Sequence, residues 1–340
     1  MEANSLNNRI QVYKNYKNLL KNFSHDTQSH FEKKSVIGEG YQGKVYKYCK
    51  KDTICKFIAI KKMYIDNKQS KFVDNYLNPK ALKYGVFIEL AASRLTNQLL
   101  LQKLSPNFVF NYVSTFNERT GICNDRFPYA SYYYNEFIDN SDTYDNWVYK
   151  THSNKEWYNV YFQIIVNILL LQKYFNMIHL DLHAGNILVK KIKKGGYWEY
   201  IIDDKSYKVP NLGYQLFIID FGQAWIPNLF KTGYVKNPHR AYDLQKLFRS
   251  TLNFSKSSKD FKIEIRNIIK RVKNEERFEA IIYDIWSKMY VNSNTLKNSI
   301  LIESYNTDKI LKIETLPKIL KNYLLNIRKN VVKSKKPKSF

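Results

Sequence analysis

The sequence predicts an α+β fold in two lobes or two small domains, a small antiparallel sheet followed by a mainly helical second half. Three observations predict it. Short β-rich segments punctuated by glycine occupy residues 35 to 63 and recur at 108–113 and 132–138, the pattern of a half-buried sheet. Beyond Asp139 the apolar spacing turns helical. The 340 residues, 16% of them aromatic, supply enough apolar surface for a sizeable core. On this reading residues 1–30 form a helical extension, 31–138 the first lobe, 139–325 the second, and 326–340 a basic tail expected to be disordered.

In chain order, Ile10, Tyr13, Tyr16, Leu19, Leu20 and Phe23 recur at helical spacing, which predicts an amphipathic helix over 5–23 packed on the first lobe. Val36-Ile37, Lys44 to Tyr48 and Phe57 to Lys61 read as strands, with glycines making the first turn. Gly85 to Gln102 reads as a helix, with Val86, Leu90, Leu95 and Leu99 near one face and Glu89 within it. Phe108 to Val113 and Tyr132 to Ile138 complete the sheet. Lys155 to Phe175 is apolar nearly all round, so a buried helix is expected. Residues 190–215 form a polar and aromatic insertion whose turns, Lys194-Gly195-Gly196 and Pro210 to Gly213, predict a hairpin excursion. Several amphipathic helices follow between Tyr242 and Tyr323, without an internal repeat.

No run of eighteen apolar residues occurs, and the stretch after Met1 lacks the apolar core of a secretory signal. An intracellular, cytoplasmic protein is therefore expected. Cys49, Cys55 and Cys123 are odd in number and lack C-x-x-C spacing, so neither a disulfide framework nor a zinc cluster is expected. The net charge of +25 suits a nucleic-acid, acidic-protein or anionic-membrane partner. Abundant Lys, Asn, Ile and Tyr are also what an AT-rich genome yields, with the lysines simply solvated. No nucleic-acid recognition motif accompanies the charge.

Ile37-Gly38-Glu39-Gly40-Tyr41-Gln42-Gly43-Lys44-Val45 is a G-x-G-x-x-G-x-V loop. Its glycines let backbone N–H groups approach phosphate oxygens. Because Val45 to Tyr48 continues as a strand, a β-turn-β flap is expected in place of a strand-to-helix dinucleotide turn. Tyr41 at the tip either shields the phosphates or stands in solvent. A lysine ending an apolar strand usually just reaches water. Lys61 differs, because Ala59 shares its face and Glu89 on the next helix is placed to hold its ammonium, whereas Lys62 faces away. His179-Leu180-Asp181-Leu182-His183 would align two imidazoles and a carboxylate on a strand, but no fourth metal ligand is nearby. Asn186 and Asp220 make better sense as oxygen donors for Mg²⁺. Asp181 would then accept a proton from, or orient, an attacking hydroxyl, with His179 supporting the loop backbone.

Glycine loop, strand lysine, helix glutamate, H-x-D-x-x-x-x-N over 179–186 and Asp220-Phe221-Gly222 occur in one order, and the chain resembles the eukaryotic-type protein kinase family over roughly Ser35 to Leu247. The resemblance implies a bilobal serine/threonine-protein kinase that uses ATP and Mg²⁺, with Mn²⁺ as the alternative ion. It implies that Asp181 is catalytic, that Asn186 and Asp220 bind metal, and that Lys61, paired with Glu89, binds ATP phosphates. Ile37, Gly38, Gly40 and Gly43 would cover the nucleotide, and Val45, Ala59 and Leu188 would enclose the adenine. Tyr134 to Ile138 resembles the hinge, with Glu136 and Ile138 at the adenine edge and Tyr134 or Asn135 gating the pocket. Asp243 resembles the buried aspartate that braces the catalytic loop. The implied substrates are proteins, acidic or nucleic-acid-associated ones included.

The departures carry information too. Leu180 replaces the arginine that receives an activation-loop phosphate in the family, so the resemblance gives no basis for that control. His183 stands where most members have a lysine. Asp243 follows Asp220 by only 23 positions and no Ala-Pro-Glu is present, Asn237-Pro238-His239 being a poor substitute. An Asp-x-His-x-x-Asn loop also occurs in small-molecule phosphotransferases, which makes a kinase of the aminoglycoside or choline type the alternative. A non-catalytic kinase-like scaffold is the second alternative, against which the intact set of Asp181, Asn186 and Asp220 counts. The insertion, the lysine-rich composition and the reduced second lobe resemble protein kinases of large DNA viruses, for which a virion or infected-cell cytoplasm is the implied location.

Overall fold

The computed structural model describes residues 5–21, 31–40, 43–50, 57–118, 129–230, 235, 238–251, 255–274, 278–289 and 300–334. Helix α1 (Leu6–Lys21) precedes a five-stranded antiparallel sheet of β1 (Phe31–Gly40), β2 (Gly43–Lys50), β3 (Phe57–Ile65), β4 (Asn111–Glu118) and β5 (Tyr129–Glu136), in the order β1-β2-β3-β5-β4. A short helix α2 (Asn67–Ser70) and the long α3 (Gly85–Leu101) lie between β3 and β4. Then come β6 (Ser141–Thr143), α4 (Tyr144–Val148), α5 (Asn154–Phe175), β7 (Ile187–Lys191), β8 (Tyr197–Ile202), β9 (Lys205–Pro210) and β10 (Tyr214–Ile218). Helices α6 (Tyr242–Thr251), α7 (Lys259–Lys273) and α8 (Phe278–Met289), strand β11 (Leu301–Asn306) and helix α9 (Lys318–Ser334) complete the chain. The molecule is thus α+β with antiparallel sheets, one of them extended by a parallel pairing of β11 with β8. Among the described residues no helix is long and apolar enough to cross a membrane.

Helix α5 is the spine of the second half. Ser153 and Glu156 start it with a reciprocal capping box, and Asn176, at φ 51°, ends it in the left-handed conformation that asparagine tolerates. Its side chains from Trp157 to Leu171 are buried on every face, each large apolar one contributing about 1.5–3 kcal/mol of burial. One stripe of this helix is polar nonetheless. Asn159, Gln163 and Asn167 recur every fourth residue and satisfy buried partners. Asn159 donates to Pro210 O at 2.8 Å, Gln163 accepts from Leu216 N at 3.1 Å and from Asn107 at 3.0 Å, and Asn167 accepts from Ser105 at 2.6 Å. The stripe thereby fixes β10, the strand that delivers the chain to Asp220.

Four expectations change. The strand expected at 108–113 begins at Asn111, because Arg9 of α1 takes the carbonyls of Pro106 and Phe108, leaving 108–110 as a connector with Phe108 and Phe110 buried. The insertion is the expected hairpin, β8 with β9, but it reverses at Asp203-Asp204, both left-handed at φ 49° and 58°. Two such residues make the turn whose twist matches the flanking strands. The basic end expected to be disordered from 326 instead continues α9 to Ser334, while residues 335–340 lie outside the described residues. Cys49 is disulfide-bonded, because pairing depends on which segments the fold brings together and not on how many cysteines there are. Cys55 and Cys123 lie outside the described residues, as do Phe23, Tyr41 and Asn237.

Candidate functional site

Lys61 lies on β3 opposite Val45 of β2 and Tyr133 of β5, and Ala59 lies opposite Asn135. Directly opposed residues share a face, so Val45, Ala59, Lys61, Tyr133 and Asn135 line one side of the sheet. Helix α3 packs on that side, with the Tyr133 hydroxyl donating to Val86 O. Of the two residues expected to gate the pocket, Asn135 therefore shares the face of Ala59 and Lys61; Tyr134 points to the other side and is fully buried. Lys61 is 9% exposed, against a half-buried Lys62.

The Lys61 ammonium donates to both carboxylate oxygens of Glu89, at 2.9 and 2.7 Å, and lies 3.1 Å from Asp220 Oδ1. Burial pushes the Glu89 carboxyl up to about 7 against the pull of Lys61. Lys61 is buried as well, yet the two carboxylates outweigh burial and raise it above the ordinary lysine value. Burial would likewise raise Asp220, but the Lys61 charge holds it below the usual carboxylate range. Asp220 itself sits in the left-handed region at φ 62°.

Residues 179–183 form an irregular loop in place of the strand that the metal alternative requires. The His179 ring is buried against Phe221, accepts the Asp181 N–H on Nδ1 and donates from Nε2 to Ile219 O at 2.9 Å. His183 accepts the Gly185 N–H on Nδ1. Both imidazoles thus support backbone, and among the described residues no cluster of three His, Cys, Asp or Glu side chains suits a metal ion. The loop is pinned from below by α6: Asp243 accepts the N–H groups of His179 at 2.8 Å and Leu180 at 2.9 Å. Burial raises the Asp243 carboxyl more than these bonds lower it. Leu180 is buried at φ 60°, a conformation the two bonds to Asp243 help to impose.

Asn186 donates its amide to Asp181 O at 2.9 Å, and its own carbonyl accepts from Ile219 N at 3.0 Å. Asp181, Asn186 and Asp220 are thereby tied into one connected unit. After Asp220 the chain packs inward: Trp225 exchanges two backbone bonds with Ile178, and Ile226, Leu229 and Phe230 are buried.

The flap residues differ in character. A Cβ on Gly43 would lie 2.0 Å from Lys62 O, so only glycine closes the β1–β2 turn against β3. Gly38 faces Val45 across the ladder and Gly40 opens to empty space. Ile37, unpaired at a bulge between Val36 and Gly38, is exposed. Leu188 on β7 is half-buried and Ile138 is buried. The Glu136 carboxylate is committed to Arg9 and its N–H donates to Phe110 O at 2.8 Å, so any contact of Glu136 with a nucleotide rests on its carbonyl. One residue at this site escaped the sequence reading. Lys246 of α6 lies 2.5 Å from Asp181 Oδ1 and donates to Leu180 O at 3.2 Å; its position one turn after Asp243 was the only signal for it.

No family model matches the chain. A stretch of 62 residues, 18% of the chain, is 36% identical to a protein of Frog virus 3 (isolate Goorha) named "Putative serine/threonine-protein kinase 019R". A stretch of 63 residues is 35% identical to "Uncharacterized protein 011L" of Invertebrate iridescent virus 3. The matched stretches make up 7% and 8% of those two proteins. The chain is thus similar, over a short segment, to viral proteins, one of which carries a kinase name.

Proposed function

We propose that this chain is an ATP- and Mg²⁺-dependent protein kinase acting on serine or threonine hydroxyls, built on the bilobal framework of that family. The observation that carries the reading is the bridge of Lys61 to both Glu89 and Asp220, next to a loop that ties Asp181 to Asn186. The residues fit the ligands. Asp220, held low by Lys61, is ionised, and Asn186, with its side-chain N–H engaged, still has its side-chain Oδ1 to offer, a hard-donor pair suited to Mg²⁺. Gly43, where a side chain would collide with Lys62 O, lets the flap lie close over a phosphate chain. Mg²⁺-ATP, when bound, supplies the phosphoryl group and neutralises its charge.

The chain's own residues supply position. Lys61 would bind the phosphates, with Glu89 holding its ammonium, and Asp181 would orient the acceptor hydroxyl and take up its proton. The acceptor oxygen forms the new bond to phosphorus, the bond to the bridging oxygen breaks, and ADP leaves. Protein substrates of acidic or nucleic-acid-associated character suit the net charge of +25.

The test is transfer of labelled γ-phosphate to the protein itself, to a generic basic protein, to an acidic protein and to amino alcohols, with Asp181→Asn as control. Label on protein serine or threonine that falls to a small residual rate in the variant is the expected result. Label confined to amino alcohols, or transfer by Asp181→Asn at close to the wild-type rate, would overturn the reading.

A further inference from the structure

We infer that Lys246 positions Asp181 for transfer, an inference that rests on reading the site as a phosphotransferase. Helix α6 carries Asp243 and Lys246 one turn apart, on one face. Asp243 holds the backbone N–H groups of His179 and Leu180, while Lys246 bonds Leu180 O and pairs with Asp181 Oδ1. One helical turn therefore sets both the path of the loop and the rotation of its carboxylate. Oδ1 is engaged by Lys246. His183 Nε2 lies 3.9 Å from Oδ2, beyond hydrogen-bond reach, so Oδ2 is the oxygen presented to an acceptor hydroxyl.

Exposure separates a functional pair from a structural one. The side chains of Lys246 and Asp181 are 36% and 35% exposed, and an ion pair so open to water adds little to stability. Asp243, fully buried on the same helix, already braces the loop. What Lys246 adds is a fixed rotation of the Asp181 carboxylate, with Oδ1 held and Oδ2 left for the acceptor hydroxyl.

The test measures transfer to the protein acceptor by wild type, Lys246→Met and Lys246→Arg, each also in an Asp181→Asn background. Lys246→Met should lower kcat by about 10²-fold, the usual cost of losing one preorganised group. The KM for ATP should stay within about twofold, because nucleotide binding is not what Lys246 serves. Lys246→Arg should restore roughly tenfold or more, since it keeps the charge. In the Asp181→Asn background Lys246→Met should change the residual rate by less than about twofold, because a residue acting through Asp181 has nothing left to position. An equal loss in both backgrounds, a kcat within about threefold of wild type, or a Tm fall of more than about 5 °C would overturn the inference, the last by making the pair a structural clamp. A wild type that labels no acceptor would instead overturn the phosphotransferase reading on which the inference rests.

Discussion

Arg9 is a single side chain on an N-terminal helix, yet it holds together four parts of the chain. Its guanidinium forks onto Glu136 at 2.7 and 2.8 Å and donates to Pro106 O and Phe108 O at 2.5 Å each. It also lies over the rings of Phe110 and Phe217. Burial disfavours its charge, but Glu136 outweighs burial and raises its pKa. Replacing Arg9 with Met keeps the apolar volume and removes the charge. Glu136, 11% exposed, would be left with the Phe110 N–H at 3.2 Å as its described donor, and two carbonyls would lose theirs. Breaking a buried, hydrogen-bonded pair costs about 3–5 kcal/mol, most of it the penalty on the abandoned charge. For a chain of this size that corresponds to a Tm lowered by roughly 4–7 °C. Urea unfolding followed by circular dichroism would measure the loss for Arg9→Met, Glu136→Gln and the double variant. If the abandoned charge is the cause, the double variant is more stable than Arg9→Met alone. A loss below about 1 kcal/mol, typical of an exposed pair, would refute the reasoning, as would a double variant that loses the sum of the two singles.

Three further outcomes follow from the same geometry. Glu89 ionises near 7 in the fold and at 4.5 ordinarily, so between those values the folded state keeps a proton the unfolded state has released. Its contribution to stability therefore falls as pH rises from 4.5 to 7; the stability difference between wild type and Glu89→Gln should decline over that interval and level off above it, and a constant difference would contradict the assignment. Gly43→Ala forces a Cβ against Lys62 O and should cost about 1–3 kcal/mol in chemical denaturation, whereas Gly40→Ala, with nothing within 4 Å of the new Cβ, should be nearly neutral. Asp243→Ala strands the buried N–H groups of His179 and Leu180 and should lose about 2–6 kcal/mol, at 1–3 for each orphaned donor; hydrogen exchange at those two amides would rise with it, and unchanged protection would count against the bracing role.

The elements whose signals are local were legible in the sequence. Helix α5 announced itself by length and apolar content, and the β1–β2 turn by its glycines. The pairing of Lys61 with Glu89 was readable because strand alternation gives Lys61 the same face as Ala59. That Asp181, Asn186 and Asp220 lie together was readable for a related reason: a tight loop and the strand end beside it need few residues to specify them. The rest depended on contacts between distant segments. Arg9 reaches Glu136 across 127 positions, β11 joins β8 from about a hundred positions away, and Lys246 meets Asp181 across 65. Nothing in a neighbouring residue records such a meeting. The candidate site's chemical groups were therefore set out by the sequence alone. Which cation faces Asp181, which helix holds the Glu136 segment and where the insertion reverses were decided only when packing brought separate elements within hydrogen-bond reach, because a charge buried by tertiary contact must find its partner wherever the fold places one.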